Sequence, residues 1–216
     1  MTDSKQIAEQ LAATAVVPVV VIDDAKHAVP LAQALVDGGL PVIEITLRTA
    51  AAIDAIKAIS AEVPGAVVGA GTVLSAQHAK NAVAAGSDFL VSPGLYEPVI
   101  DAAAELGVPI YPGISTASEA QRAWNLGLRV LKFFPAGLAG GVPMLKALSS
   151  VFGDLSFMPT GGVSAKNLGD YLALPAVVAC GGSWLSPADA LESGDFDRIR
   201  SLAKEARDIA REIRRD

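Results

Sequence analysis

Short apolar runs and longer segments of helical period alternate along the chain, from near the N-terminus to about residue 190. The apolar runs have the composition of parallel strands that are buried on both faces. We predict eight strands, at residues 17–22, 41–47, 66–70, 88–91, 109–111, 129–133, 156–159 and 176–180. The alternation therefore predicts a repeated strand–helix unit.

Each intervening helix carries one apolar stripe, as in Val99, Ala102, Ala103 and Leu106. Pro30 removes a hydrogen bond from the first of these helices, which is therefore expected to start late or to bend. An extra helix is predicted at residues 5–13, and a long closing helix follows residue 195. Residues that favour a helix start are Asp24, Thr49, Ser75, Ser118 and Ser164.

Eight such units predict an α/β protein, a single (β/α)8 TIM barrel with an extra N-terminal helix, formed by residues 1–216 as one domain. Closure removes the two free edges that an open parallel sheet would leave. A doubly wound open sheet is the second choice. Its dinucleotide-binding version is disfavoured because the first strand–helix turn lacks the Gly-x-Gly-x-x-Gly pattern.

Composition limits the possible partners. The 216 residues are 51% hydrophobic and carry a net charge of −6, without a block of Lys or Arg, so nucleic acid is not an expected partner. No apolar run approaches the roughly 20 residues that cross a bilayer, and no membrane association is expected. The N-terminal residues lack a secretory pattern, and a single cysteine, Cys180, agrees with a reducing compartment. We expect a cytoplasmic protein.

Lys132 stands out among the eight lysines because it lies inside the apolar run of residues 130–135. Burial removes hydration from an ammonium group and favours the neutral amine, which is a good nucleophile toward ketones. The other seven lysines lie mostly in polar or helical stretches. Lys132 is therefore the first candidate for chemistry.

The alternation of side chains along the second strand tests this candidate. Glu44, Thr46 and Arg48 share one face of that strand, while the apolar residues between them share the other. In a barrel the polar face points inward, and Lys132 reaches the same interior from the sixth strand. Glu44 and Lys132 could equally form a structural ion pair, and Arg48 could be a solvated charge at a strand end.

Glycine pairs follow the last two strands, at Gly161-Gly162 and Gly181-Gly182. The loops after strands seven and eight of a barrel often bind phosphate through backbone N–H groups, and Ser183 can add a hydroxyl. A single Gly-Gly pair is usually only a tight turn. The small residues that end strands three and four leave room for a ligand, and Thr72 can hydrogen-bond its carboxylate. No residue cluster has the spacing of a metal site, so no metal is expected.

Six segments together resemble the bacterial 2-dehydro-3-deoxy-phosphogluconate (KDPG) aldolases, the class I enzymes of the Entner–Doudoroff pathway. The segments match in order between about residues 17 and 184, and in combination they are highly specific. They are residues 44–48 (EITLR), 69–73 (GAGTV), 92–94 (SPG), 132–136 (KFFPA), 159–163 (PTGGV) and 181–184 (GGSW). Gly137-Leu138 differs from the Glu-containing loop of many members.

The resemblance implies a lyase, a homotrimeric barrel that splits KDPG reversibly into pyruvate and glyceraldehyde 3-phosphate without a cofactor. It implies that Lys132 forms the Schiff base and that Glu44 is the general acid and base. It places Arg48, Thr72 and Pro93 at the pyruvate end, and Phe134 and Thr160 at the middle of the substrate. The residues that it assigns to the phosphate are Gly161, Gly162, Gly182 and Ser183.

Other functions stay open at this point. The substrate range implied by the resemblance can include 4-hydroxy-2-oxoglutarate (KHG) or the galactonate epimer of KDPG. A non-catalytic barrel that binds sugar phosphates would use Lys132 only as a counter-ion. A phosphosugar epimerase on the same scaffold would use acid–base residues without an imine, so trapping of an imine separates these possibilities.

Overall fold

The structure is a computed structural model and describes residues 4–214. Its eight strands are all parallel, in the order β7-β6-β5-β4-β3-β2-β1-β8. Two isolated bridges, Phe157 with Val177 and Thr160 with Gly181, join β7 to the β8 side and complete the ring. The predicted (β/α)8 barrel is therefore confirmed, and the doubly wound open sheet is wrong.

The strands lie close to their predicted positions, with one clear exception. They are β1 (Val16–Val20), β2 (Val42–Thr46), β3 (Val67–Gly71), β4 (Phe89–Ser92), β5 (Ile110–Ile114), β6 (Val130–Phe133), β7 (Ser156–Pro159) and β8 (Cys180–Gly182). The eighth was predicted at residues 176–180 and begins later. The carbonyl groups of Val177 and Val178 accept hydrogen bonds of 3.0 and 2.7 Å from the Arg214 guanidinium, instead of continuing the ladder with β1.

Ten helices are found in the described part of the chain. They are α1 (Ser4–Thr14), α2 (Ala28–Asp37), α3 (Ala52–Glu62), α4 (Ala76–Ala84), α5 (Glu97–Leu106), α6 (Ala117–Asn125), α7 (Gly141–Val151), α8 (Leu168–Leu172), α9 (Ala188–Ser193) and α10 (Phe196–Ile213). The N-terminal and closing helices are confirmed, whereas α9 was not predicted. A 3-10 turn at Ala25–His27 precedes α2, so Pro30 falls in its first turn and the helix starts late, as expected.

Helix starts were harder to predict than helices. Asp24 and Ser75 cap as expected, since their side chains accept hydrogen bonds from the N–H groups of Lys26 and His78. The other three starts were wrong, because the N-cap residues are Ala51 instead of Thr49, Thr116 instead of Ser118, and Asn167 instead of Ser164. The errors amount to two or three residues and do not affect the order of the elements.

The hydrophobic core has an outer and an inner part. The outer part lies between strands and helices and includes Ile43 and Ile45, which confirms that these residues of β2 face outward. The inner part fills the N-terminal half of the barrel with residues from seven strand segments, among them Val17, Phe89 and Tyr111. Two α1 residues, Ile7 and Leu11, belong to this inner cluster, so α1 closes the N-terminal end of the barrel. Polar side chains are thereby left to the C-terminal end.

None of the helices within residues 4–214 is long and apolar enough to cross a membrane.

Candidate active site

Charged side chains are almost completely excluded from the interior. Within residues 6–214, Glu44 and Lys132 are the only buried residues with a charged side chain, and they are 2% and 6% exposed. Glu44 lies two residues after Val42 of β2, and Lys132 lies two residues after Val130 of β6, so both side chains are on the C-terminal side of the apolar cluster that fills the barrel. In a (β/α)8 barrel this is the end at which ligands bind.

The two charged groups meet inside the barrel. Lys132 projects inward from β6 and Glu44 from β2, and the distance from Lys132 Nζ to Glu44 Oε1 is 3.3 Å. The prediction that strand parity brings these side chains together is therefore confirmed. Burial disfavours both charges, whereas their mutual contact favours them. An amine and a carboxylate in a dry interior are placed for nucleophilic attack and for proton transfer.

Glycines of β3 make room for the Glu44 side chain. A Cβ atom on Gly71 would collide with Glu44 Oε1 and lie 2.7 Å from its Cγ and Cδ. A Cβ atom on Gly69 would collide with the Phe89 ring instead. The small residues of β3 were expected to leave space for a ligand. The space beside Gly71 is occupied by the Glu44 carboxylate, which it holds next to Lys132.

The Phe134 side chain lies against the amine. Lys132 Nζ is 5.3 Å from the centroid of the Phe134 ring, a distance at which a cation is attracted to the ring face. Phe134 is 36% exposed and follows β6 directly, so its ring borders the mouth of the barrel. The ring also lies beside Gly161, where an added Cβ would be 3.4 Å from a ring carbon.

The third predicted residue of β2 is not part of this contact. Arg48 lies in the exposed turn that follows β2, where its N–H donates to the Thr46 carbonyl at 2.8 Å, and its guanidinium makes no hydrogen bond or ion pair with another described residue. Thr46 is buried, and its hydroxyl donates to the Val20 carbonyl at 2.8 Å, which ties the end of β2 to β1. The structure thus places Arg48 at the mouth, free to meet an anionic ligand, and gives Thr46 a structural role.

Thr72 and Pro93 follow the next two strands around the mouth. Thr72 is half-buried and has a φ of 58°, a left-handed conformation that is unfavourable for a Thr residue. Pro93 is held closely by β5, because a Cβ on Gly113 would collide with the Pro93 carbonyl group and lie 3.0 Å from Gly94 N. Gly113 was not singled out from the sequence. A glycine inside a strand, next to Pro112, was the available signal of a close backbone approach.

The two glycine loops adjoin each other on the far side of the mouth. Gly161 and Gly162 have φ values of 91° and 80°, which explains the need for glycine at both positions. Thr160 is 7% exposed and bridges to Gly181, where an added Cβ would collide with the Thr160 hydroxyl. Within the described part of the chain, the N–H groups of residues 161–163 and 183–186 donate no hydrogen bond. Such free donors suit an anion.

The loop after β6 supports the first glycine pair. Gly137 N donates to the Gly161 carbonyl at 2.9 Å, and Ala136 N donates to the Thr160 carbonyl at 2.8 Å. Leu138 points into solvent and is 91% exposed. The two loops are thus joined through the backbone of residues 136 and 137, and the Leu138 side chain takes no part in the contact.

A cavity of about 440 Å³ lies between the end of β1 and α9, next to Ser183. Val19 and Leu191 are among its apolar lining residues, and Asp23 and Glu192 are among the polar ones. Val19 is the register neighbour of Glu44 in the β1–β2 ladder, so the cavity adjoins the Lys132–Glu44 contact. Sequence reasoning did not identify this wall of the site.

Among the described residues, no group of three or more His, Cys, Asp or Glu side chains is arranged to hold a metal ion. Cys180 is fully buried, and desolvation raises the pKa of its thiol well above the usual range. It therefore stays protonated and acts as a small core residue, as expected.

The fold and these contacts define a (β/α)8 barrel enzyme. The chain belongs to the KDPG and KHG aldolase family, whose sequence model matches residues 7–202. Over 207 residues it is 56% identical to the 2-dehydro-3-deoxy-phosphogluconate aldolase of Dickeya dadantii, a match that covers 95% of this chain and 97% of the relative. The resemblance stated from the sequence is thereby confirmed.

Solved structures of two relatives support the same family assignment. The KDPG aldolase of Legionella pneumophila, described with pyruvate captured as a covalent carbinolamine intermediate, is 41% identical with a TM-score of 0.89. That match covers 92% of this chain and 97% of the other. The aldolase of Zymomonas mobilis ZM4, described with 3-phosphoglycerate, is 44% identical with a TM-score of 0.88 and covers 94% and 95% of the two chains.

Proposed function

We propose that this protein is a class I aldolase that reversibly cleaves KDPG into pyruvate and glyceraldehyde 3-phosphate. The observation that carries the proposal is the contact of 3.3 Å between the buried Lys132 amine and the buried Glu44 carboxylate at the ligand-binding end of the barrel. Family membership and the relative captured with covalently bound pyruvate support the same chemistry. KHG is a second substrate that the family description supports.

Covalent attachment begins at Lys132. Its neutral amine attacks the C2 ketone of KDPG, and Glu44 is close enough to accept the proton that the ammonium must lose. The carbinolamine that results loses water, and a protonated imine forms between Lys132 and C2. The Lys132 side chain is 6% exposed and lies beside the apolar inner cluster, which disfavours the hydrated ammonium and supports this attack.

Bond cleavage uses the imine as an electron sink. A base removes the proton of the C4 hydroxyl, the C3–C4 bond breaks, and its electron pair moves toward the imine nitrogen to give an enamine. Glyceraldehyde 3-phosphate leaves with the new carbonyl group. Glu44, acting directly or through a water molecule, is the carboxylate that takes the C4 hydroxyl proton and later returns a proton to C3. Hydrolysis of the pyruvate imine then restores Lys132.

The remaining residues hold the two ends of the substrate. Arg48, Thr72 and Pro93 line the side of the mouth formed by β2, β3 and β4, where the carboxylate of the pyruvate moiety would lie. Phe134 and Thr160 border its middle. The phosphate would lie on the loops after β7 and β8, where the proposed ligands are Gly161, Gly162, Gly182 and Ser183 and where N–H donors are free. The relative described with 3-phosphoglycerate supports a site for a phosphorylated three-carbon ligand.

Reductive trapping tests the proposal directly. Borohydride added with pyruvate should leave a stable adduct on Lys132, visible as an added mass on the intact protein and located by peptide mapping. Lys132→Met should form no adduct and cleave no KDPG while keeping the fold, which circular dichroism checks. The matched control is Lys146→Met, which replaces an exposed lysine of α7 and should trap pyruvate normally.

Two experimental results would change the proposed function. Stabilisation by phosphate without any pyruvate released or trapped would favour a non-catalytic barrel that binds sugar phosphates. Faster cleavage of the galactonate epimer than of KDPG would keep the mechanism and change the preferred substrate. A comparison of cleavage rates on the two epimers therefore completes the experiment.

Three further properties belong to the proposal. The enzyme works without a metal or organic cofactor, because the imine on Lys132 supplies the electron sink; activity should survive exhaustive dialysis against EDTA. It assembles as a homotrimer, as the resemblance implies, which sedimentation equilibrium measures. It acts in the cytoplasm, which agrees with its single and buried cysteine.

A further inference from the structure

The Phe134 ring connects the reacting amine to the first glycine loop. Its centroid is 5.3 Å from Lys132 Nζ, while its edge lies beside Gly161. An added Cβ on Gly161 would be 3.4 and 3.5 Å from two carbons of the ring, so the ring packs against the backbone of that loop. The ring therefore has a fixed orientation toward the amine, although it is 36% exposed.

Few groups determine the charge at this nitrogen. Glu44 faces it from β2 at 3.3 Å, and Phe134 faces it from the end of its own strand. The register neighbours of Lys132 are Gly113 on β5 and Met158 on β7, neither of which titrates. Arg48 lies in the exposed turn after β2, and its guanidinium makes no ion pair or hydrogen bond with another described residue. The carboxylate and the ring face are thus the two groups that favour a positive charge at Nζ.

We propose that the Phe134 ring stabilises the positive charge at the Lys132 nitrogen, first as the ammonium and then as the protonated imine. The inference rests on the proposed aldolase function, in which this nitrogen carries a positive charge before and after condensation. The attacking amine, the carbinolamine and the enamine that follows cleavage are neutral, so the ring has a cationic partner only in the ammonium and in the protonated imine. Phe134 is a positioning residue that acts through Lys132, and it helps to set the pH range over which the imine forms.

The direction of the effect follows from the charge. A weaker negative potential on the ring face makes the ammonium less favourable, so the neutral amine becomes available at lower pH. The acid limb of the pH profile for imine formation should then move to lower pH. Cation–π contacts of the usual strength correspond to a movement of about half a pH unit to one unit.

Fluorination of the ring tests this without changing its shape greatly. Phe134 is replaced, through site-specific incorporation, by phenylalanine that carries one, two or three ring fluorine atoms. The rate of pyruvate-dependent inactivation by cyanoborohydride is measured across a pH series for each protein. We expect the acid limb to move stepwise to lower pH with each fluorine, by about half a unit to one unit in total. A ring that only fills space would give no ordered movement.

The same fluorinated residues at Phe196 provide the matched control. That ring contacts His27 at a centroid distance of 6.1 Å and makes no cation–π contact with Lys132, so its fluorination should leave the profile unchanged. Phe134→Leu should move the acid limb at least as far as three fluorines, and Phe134→Trp should restore the profile or move it to higher pH.

If the acid limb does not move, or moves without order as fluorine atoms are added, in a protein that still traps pyruvate, the inference is overturned and the aldolase proposal stands. Absence of any trapped adduct in the unsubstituted protein would instead overturn the aldolase proposal itself, together with the inference that depends on it.

Discussion

At the scale of single residues, the Lys132–Glu44 pair is costly to bury. Each charge loses its water shell, and a contact of 3.3 Å with one partner seldom repays that loss in full. Buried ion pairs therefore contribute little to stability, and well-packed apolar residues would serve the fold as well or better. The position of this pair, at the ligand-binding end and beside free N–H donors, is explained by chemistry.

Gly71→Ala tests how closely the Glu44 carboxylate is held. The new methyl group would collide with Oε1, so the carboxylate must move away from Lys132. We expect a loss of kcat for KDPG cleavage on the order of 100-fold or more, with roughly 1–3 kcal/mol of destabilisation. Gly153→Ala is the control, since no atom lies within 4 Å of its added Cβ. Normal kcat in Gly71→Ala would show that Glu44 has room to move.

At the scale of elements, strand parity was the most informative signal. The alternation in β2 put Glu44 on the inner face, and the apolar surroundings of Lys132 put a lysine in the interior of β6. Both are local consequences of the two-residue period of a strand. The role of Gly71 is different, because it depends on which side chain of the neighbouring strand fills the space. A local sequence pattern does not predict such contacts between strands.

The exact starts of helices also depend on contacts that a local sequence pattern does not contain. Thr116 and Ser118 are both followed three residues later by Glu or Gln, so each satisfies the sequence pattern of a capping box. The structure uses Thr116, whose hydroxyl accepts from Glu119 N at 3.3 Å while the Glu119 carboxylate accepts from Thr116 N at 2.9 Å. The end of β5 decides which of the two residues caps α6, and the pairing of β5 with β4 and β6 sets that end.

Replacing the two candidate caps separately tests this assignment. Thr116→Ala should lower the free energy of unfolding by about 1 kcal/mol, because the first turn of α6 loses its capping hydrogen bonds. Ser118→Ala should change it by less than about 0.5 kcal/mol, because Ser118 is exposed and lies within the helix. Urea unfolding at constant slope measures both. An equal or larger loss in Ser118→Ala would contradict the assignment.

At the scale of the whole molecule, barrel closure separates two environments. The inner apolar cluster and α1 seal the N-terminal end, so polar chemistry is confined to the other end. The number and order of the strands were predictable because each unit repeats locally. The start of β8 was not, because Arg214, from beyond the end of α10, bonds the carbonyl groups of Val177 and Val178. That contact spans the sequence from residue 177 to residue 214, and no local window contains it.

The sealed interior also predicts how stability depends on alkaline pH. Burial in the inner cluster raises the pKa of Tyr111 to about 12, against about 10 in the unfolded chain. Between these values the unfolded chain loses its proton first, so the free energy of unfolding falls as pH rises from about 10 to about 12. The loss from this group is roughly 2–3 kcal/mol.

Tyr111→Phe should remove that part of the alkaline loss, because the phenol is the group that ionises. No hydrogen bond of its hydroxyl is found within the described residues, so Phe should fit without leaving a partner unpaired. Tyr96→Phe is the matched control, since Tyr96 is 54% exposed and its removal should leave the pH dependence unchanged. Denaturant unfolding at a series of alkaline pH values measures the difference. If the curves of Tyr111→Phe and the unsubstituted protein stay parallel above about pH 10, the interior is not sealed around this side chain.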